Sequence, residues 1–359
     1  MQVPQIPIID CDVHPTAHSR PVGPYIPAEF QEAMRQGMGG QPGQGYANPF
    51  GVQRRDAACD DPAQAAADHL DRYGIAYAVL QPPGISAGLS VNIDVGTAKA
   101  RAWNDWTIAE WLEADDRYLG SICVNMNDPE GAAREIRRAK AAHPRMVQVL
   151  TSGESTDLYG HRRYFPVFAT CAELGLPFAL HPGNEGALRS STPIGRPSGY
   201  FEWHSGIPLT YQAHLISMVT EGVFEQFPGL KLVLVEAGIV WLVHTMWRLD
   251  KNFKALRSTT PWLKRRPSEY ILEHVRLTTQ PLEEPDNPDH LLQIFDMIAA
   301  DRTVCFASDF PHWDFDDPHR IFPRTMRPEM RRRIFYENAA ELYGLPPLEE
   351  TQQQMGALK

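Results

Sequence analysis

Five residues of this chain are of the types that hold divalent metals, and each sits in a short, distinctive segment. They are Asp12 and His14 in IIDCDVH, His181 in LPFALHPG, Glu236 in LKLVLVEAGIVWL and Asp309 in FASDFPHWD. Such a mixture of imidazole and carboxylate suits a hard or borderline divalent ion with positions left open for water or substrate. The chemistry on offer is Lewis-acid polarisation and activation of water. Asp12 and His14 are two apart on an extended segment, so their side chains share a face. Asp10 lies on that face too, as a rival ligand or as a partner that orients one. Asp309 stands in the apolar run VCFASDFP, where an unpaired carboxylate is costly and needs a partner. His312, three residues on, is a second proton carrier. A lone D-x-H triplet carries little weight, and His181 alone reads equally well as a satisfied core histidine. Their joint placement is what points to an enzyme.

Each segment closes a run rich in Val, Ile and Leu, and the runs define the elements that must position the site. Eight are strand-like, at 6–13, 75–81, 118–125, 146–151, 177–182, 231–236, 275–280 and 303–308. They are continuously apolar, as parallel strands covered on both faces should be. Helical patterns alternate with them at 62–73, 93–114, 129–142, 162–174, 212–227, 239–256, 288–300 and 328–343. Asp61-Pro62 and Asp128-Pro129-Glu130 mark helix starts, and Gly74, Gly175 and Gly344 mark stops. Strand then helix, eight times, predicts an α/β chain folded as one (β/α)8 TIM barrel over residues 1–346. No GxGxxG follows the first strand to support a doubly wound sheet. Two stretches, 15–60 and 183–211, are too long for plain βα loops and are expected to cover or line the site. Residues 347–359 read as a polar C-terminal tail.

A formal charge of −10 argues against nucleic acid or an anionic membrane as partner. No apolar run approaches the ~18 residues of a membrane span. Cys11, Cys59, Cys123, Cys171 and Cys305 form no CxxC pair, and the N-terminus shows no secretory signal, so a reduced cytoplasmic location is expected.

The four segments together, with VRLTTQPL at 275–282, resemble the amidohydrolase superfamily over nearly the whole chain. Within it they are most similar to the branch typified by aminocarboxymuconate-semialdehyde decarboxylase. The resemblance implies a metal-dependent TIM barrel holding one Zn²⁺ or Mn²⁺ through Asp12, His14, His181 and Asp309. The fourth strand, MVQVLTS, lacks the lysine that bridges two metals in other branches. Two departures stand out: Asp12 replaces the more usual His or Glu, and Glu236 occupies the sixth-strand position of a catalytic His. The resemblance implies non-oxidative decarboxylation of a small carboxylated aromatic or dienoic acid, with Glu236 or His312 delivering the proton. The alternative is a hydrolase of an amide, ester, lactone or C–C bond that uses Glu236 as base for metal-activated water. With Asp12 and Asp309 neutralising the ion, an ionised Glu236 makes the pocket negative. A substrate carboxylate then needs Arg189, Arg196 or Arg248, while Trp203, Trp241 and Trp313 could stack on a ring. Homodimers are common in this branch, and the helix carrying Trp247 and Arg248 is where a relative reaches the neighbouring site.

Overall fold

The apolar runs pair side by side, in parallel and in chain order, as one eight-stranded sheet. The computed structural model describes residues 6–17, 20–31, 59–90, 92–183, 193–195, 197 and 199–357. The strands are β1 (Ile8–Val13), β2 (Ile75–Leu80), β3 (Tyr118–Cys123), β4 (Met146–Ser152), β5 (Phe178–His181), β6 (Leu232–Leu234), β7 (Val275–Thr278) and β8 (Val304–Cys305). The barrel closes where β1 meets β8. There Cys11 N donates to Phe306 O at 3.0 Å and His14 N to Phe310 O at 2.8 Å, and Val13 bridges Phe310. This is the (β/α)8 barrel expected from the alternation of runs.

Helices start and stop where local chemistry dictates. The Asp61 carboxylate accepts from Ala63 N and Gln64 N ahead of helix Pro62–Ala65, which runs on through the wider turns of Ala66–Asp71. Asp128 caps helix Pro129–Ala142 in the same way, through Gly131 N. Gly175 and Gly344 end their helices at φ +64° and +67°, a conformation that costs glycine little.

Two expectations are corrected. The excursion after β5 is not a loop as far as residue 211: helix Tyr200–Thr220 begins at Tyr200. Pro208 lies inside that helix and Gly206 close by, which broke the apparent period. The C-terminal stretch is no tail, because Leu348–Ala357 is helical. Leu348 and Thr351 are buried and Met355 packs beside them, one face at helical spacing, and Tyr336 hydrogen-bonds Thr351. Within the insertion at 15–60, two short turns, Gly23–Tyr25 and Ala28–Phe30, are anchored by Arg20, which pairs with Asp61 and Glu110. Residues 32–58 of that insertion lie outside the described residues.

The base of the barrel is plugged. Tyr343, from helix Asn338–Tyr343 on the β1/β8 side, reaches across to hydrogen-bond Gln148 Oε1 on β4 at 2.9 Å. Gln148 in turn donates to Ser121 Oγ at 2.9 Å. The opposite, carboxyl-end mouth is therefore the face left for a site.

Candidate metal centre

The carboxyl ends of β1, β5, β6 and β8 bring six donor side chains to one place. His14 Nε2 lies 3.0 Å from Asp12 Oδ1, 3.0 Å from Asp309 Oδ1, 3.3 Å from His181 Nε2 and 3.4 Å from Glu236 Oε1. His181 Nε2 is 2.7 Å from Glu236 Oε1. His312 Nδ1 is 2.6 Å from Asp309 Oδ1, and the His312 ring stacks on His14 at 4.0 Å. Two overlapping groups, Asp12–His14–His181–Glu236 and His14–Glu236–Asp309–His312, each keep their donor atoms within 4.8 Å of one another.

The backbone at these positions is bent to aim the side chains. Glu236 and Asp309 both have positive φ, +55° and +60°, strained for residues with a Cβ. The Glu236 turn is held by its N–H on Thr278 Oγ1 at 3.1 Å. Asp309 Oδ2 accepts from Gln280 Nε2 at 3.2 Å, which leaves Oδ1 for the cluster. His181 donates Nδ1–H to Pro182 O at 2.7 Å, so the Nε2 lone pair faces the site. β1 reaches its ligands through a register slip against β2 between Asp10 and Val13.

Three carboxyl groups and three imidazoles crowded away from water perturb one another strongly. Burial pushes Asp12 up, but His14 and His181 overcome it and hold the carboxyl well below its usual range. Burial opposes the charge on His14, yet Asp12 and Glu236 raise it to about 10. Burial and the Asp309 carboxylate push Glu236 well up, and burial with Asp12 does the same to Asp309. Burial and the His14 cation push His312 far down, and burial lowers His181. Protonated His14 is thus the cation held by Asp12 and Glu236.

A divalent ion fits this cage better than a proton does. Both Asp12 oxygens and Asp309 Oδ1 are buried and accept no hydrogen bond, although His14 Nε2 is 3.0 Å from Oδ1 of each. Those atoms are close to His14 Nε2 without being aimed along a hydrogen bond. Metal–donor bonds of about 2.1 Å set neighbouring donors about 3.0–3.4 Å apart at octahedral to tetrahedral angles, the spacing found around His14. Among the described residues no other group of three or more His, Cys, Asp or Glu side chains converges in this way.

The remaining sequence candidates fall elsewhere. Arg189 and Arg196 lie outside the described residues. Arg248 is exposed on helix Trp241–Leu256. Trp241 is half-buried and donates Nε1–H to Ala237 O at 2.7 Å. Trp203 is buried beside Tyr200 and His204 near the start of helix Tyr200–Thr220, and Trp313 donates to Tyr200 OH at 2.8 Å. His204 Nε2 reaches Asp314 Oδ2 at 3.3 Å, tying that helix to the loop after β8. Asp10 is not a ligand: Asp12 N, Ser308 N, Ser308 Oγ and His69 Nε2 all donate to it. Sequence reasoning missed His69, whose only signal was a histidine on the buried face of a helical pattern.

No helix among the described residues is long and apolar enough to cross a membrane. The fold matches the crystal structure of 5-carboxyvanillate decarboxylase LigW from Sphingomonas paucimobilis with a TM-score of 0.68 at 20% identity, covering 95% of this chain and all of that one. It also matches a dihydroxybenzoic acid decarboxylase from Polaromonas sp. JS666, solved with manganese and the inhibitor 2-nitroresorcinol (TM-score 0.64, 22% identity, 94% and 97% covered). In sequence the chain is 26% identical over 292 residues to gamma-resorcylate decarboxylase of Polaromonas sp. (strain JS666 / ATCC BAA-500), covering 77% of this chain and 85% of that protein. The amidohydrolase family model matches residues 9–345, and with the metal-type cluster at the barrel mouth this chain belongs to the amidohydrolase family.

Proposed function

We propose that this protein is a manganese-dependent, non-oxidative decarboxylase of a small carboxylated aromatic acid. The observation that carries it is the pair of overlapping donor groups, Asp12–His14–His181–Glu236 and His14–Glu236–Asp309–His312, at the mouth of a barrel whose relatives are aromatic-acid decarboxylases. Asp12, His14, His181 and Asp309 would hold the ion through two carboxylates and two imidazoles, and manganese is the ion bound in the dihydroxybenzoic acid decarboxylase whose fold it matches. When bound, the ion supplies positive charge that anchors the substrate's oxygens and draws electron density from the ring.

The chain's own residues then handle one proton. Glu236, kept in its acid form by burial among other carboxyls, donates to the ring carbon that bears the carboxylate. The bond to that carboxylate then breaks, its electron pair returns to the ring, and CO₂ leaves. Solvent reprotonates Glu236, with neutral His312 beside Asp309 as relay. The substrate carboxylate is assigned to Arg189 and Arg196 for their charge and bidentate geometry. Exposed Trp247 and Arg248 support a homodimer in which Arg248 reaches toward the second site. Five free, buried thiols suit a reducing cytoplasm.

The test is CO₂ release from 2,6-dihydroxybenzoate and 5-carboxyvanillate by Mn²⁺-loaded protein, wild type against Glu236→Gln. Turnover reduced about 10²–10⁴-fold in the variant, with metal retained, is the expected result. Cleavage of an amide or ester without CO₂ release would replace this reading with a hydrolase.

A further inference from the structure

A second buried polar cluster sits directly behind the ligands, and the proposed chemistry does not use it. Asp10, His69 and Ser308 are each fully buried. They come from β1, from the helical turns Ala66–Asp71 and from the segment after β8. His69 Nε2 is 2.7 Å from Asp10 Oδ2, Ser308 Oγ donates to the same oxygen at 2.6 Å, and Ser308 N donates to Oδ1 at 3.0 Å.

The residue types invite comparison with a nucleophilic triad, but the geometry rejects it. A triad serine gives its proton to the histidine; here the hydroxyl is on the carboxylate, and His69 Nε2 is farther off at 3.3 Å. With no exposure, no substrate reaches the hydroxyl. What the cluster does touch is the backbone of the ligands. Asp10 Oδ1 accepts from the N–H of Asp12 itself at 3.2 Å. Ser308 precedes Asp309, and its Oγ accepts from Phe310 N at 3.2 Å, so peptide groups on both sides of Asp309 are held. The His69 ring lies flat on Phe310, 4.3 Å away and 8° from parallel. β8 itself spans only two residues, so little ladder is available to fix this turn, and Asp309 must be kept at φ +60°.

We propose that Asp10, His69 and Ser308 form a buried clamp that sets the distance between the ligand-bearing ends of β1 and β8, and thereby the affinity for the divalent ion. The proposal rests on the metal reading above. The three are positioning residues. Each acts through the peptide groups of Asp12 and Asp309, as partners behind metal ligands do elsewhere.

The test is the Mn²⁺ dissociation constant, measured by competition with a chromophoric chelator, alongside circular dichroism and melting of the metal-free protein. Asp10→Asn, Ser308→Ala and His69→Leu should each weaken Mn²⁺ binding about 10–100-fold. His69→Gln, whose amide can still donate to Asp10, should return to within about threefold of wild type, which a loss of packing alone would not produce. Arg137→Ala, which breaks an exposed ion pair with Glu173 away from β1 and β8, should leave the constant where it was. If Asp10→Asn does not fold, the His69→Leu and His69→Gln pair decides. Wild-type affinity in the folded clamp variants would overturn the clamp alone. A wild-type protein that takes up no divalent ion would overturn the metal reading and the clamp with it.

Discussion

Loading the site should expel protons, and their number follows from the metal-free geometry. His14 is held at about 10 by Asp12 and Glu236 despite its burial, so at neutral pH it carries a proton on one of its nitrogens that Nε2 ligation must displace. Asp309, one of the proposed ligands, is pushed up by burial and by Asp12 and gives up a further proton when a cation arrives, while Glu236, outside the ligand set, keeps the proton it donates in the proposed reaction. Asp12 is held low by the imidazoles and releases none. Binding at pH 7 therefore frees at least one proton and at most about two. Removing the His14 proton three units below its pKa costs about 4 kcal/mol, and that cost shrinks by about 1.4 kcal/mol with each unit of rising pH. The logarithm of the apparent Mn²⁺ association constant should thus climb with a slope between about 1 and 2 from about pH 6 to 8. Isothermal titration in two buffers of different ionisation enthalpy counts the same protons independently. A flat profile, with no buffer dependence of the heat, would refute the reasoning: the acids would then not be using His14 as their cation.

Two further outcomes test the fold around the site. His214, fully buried, sits with Nε2 2.7 Å from Gly153 O and Nδ1 3.2 Å from Tyr159 N, and burial lowers it to about 4. Its depressed pKa means that the unfolded chain takes the proton first, so stability is full above about 6.5 and is lost as pH falls toward about 4, by about 3 kcal/mol. Urea midpoints at pH 7 and 4.5 should show a flatter pH dependence for His214→Gln, and parallel slopes would count against it. Gly84→Ala would place a methyl 2.6 Å from Trp103 Cβ and 2.8 Å from Cys123 Sγ. Overpacking of that kind costs about 1–3 kcal/mol. An unchanged melting midpoint would mean the neighbouring helix gives way freely.

The strands that a reader of the sequence draws best are those whose backbones stay in the ladder. β3 and β4 lie nearly where their apolar runs predict. β8 shrinks from 303–308 to Val304–Cys305 because the next amides leave the sheet: Phe306 N goes to Ile334 O, Ala307 N to Thr279 Oγ1 and Ser308 N to Asp10. β6 likewise ends at Leu234, and its turn into positive φ at Glu236 aims the acid at the cluster. Strand ends that carry chemistry are thus the ends that depart from regular pairing, and an apolar pattern does not record that. The donors themselves were legible, since Asp, His and Glu stand out in apolar surroundings. The clamp was not: His69 meets Asp10 across 59 residues, and Ser308 meets it across 298. Such pairings follow from barrel closure and leave no local trace in the sequence.

All five cysteines are buried and free, and burial pushes the thiols of Cys59, Cys123 and Cys171 well above their ordinary range. A thiol that is neither ionised nor reachable does not react with an alkylating reagent. The protein therefore carries its own clock for structural opening. Cys11 and Cys305 lie on the two strands of the seam, while Cys123 lies on β3 and Cys171 on helix Phe165–Leu174. The order in which alkylation marks them would report whether the seam parts before the rest of the barrel, with no label added to the chain.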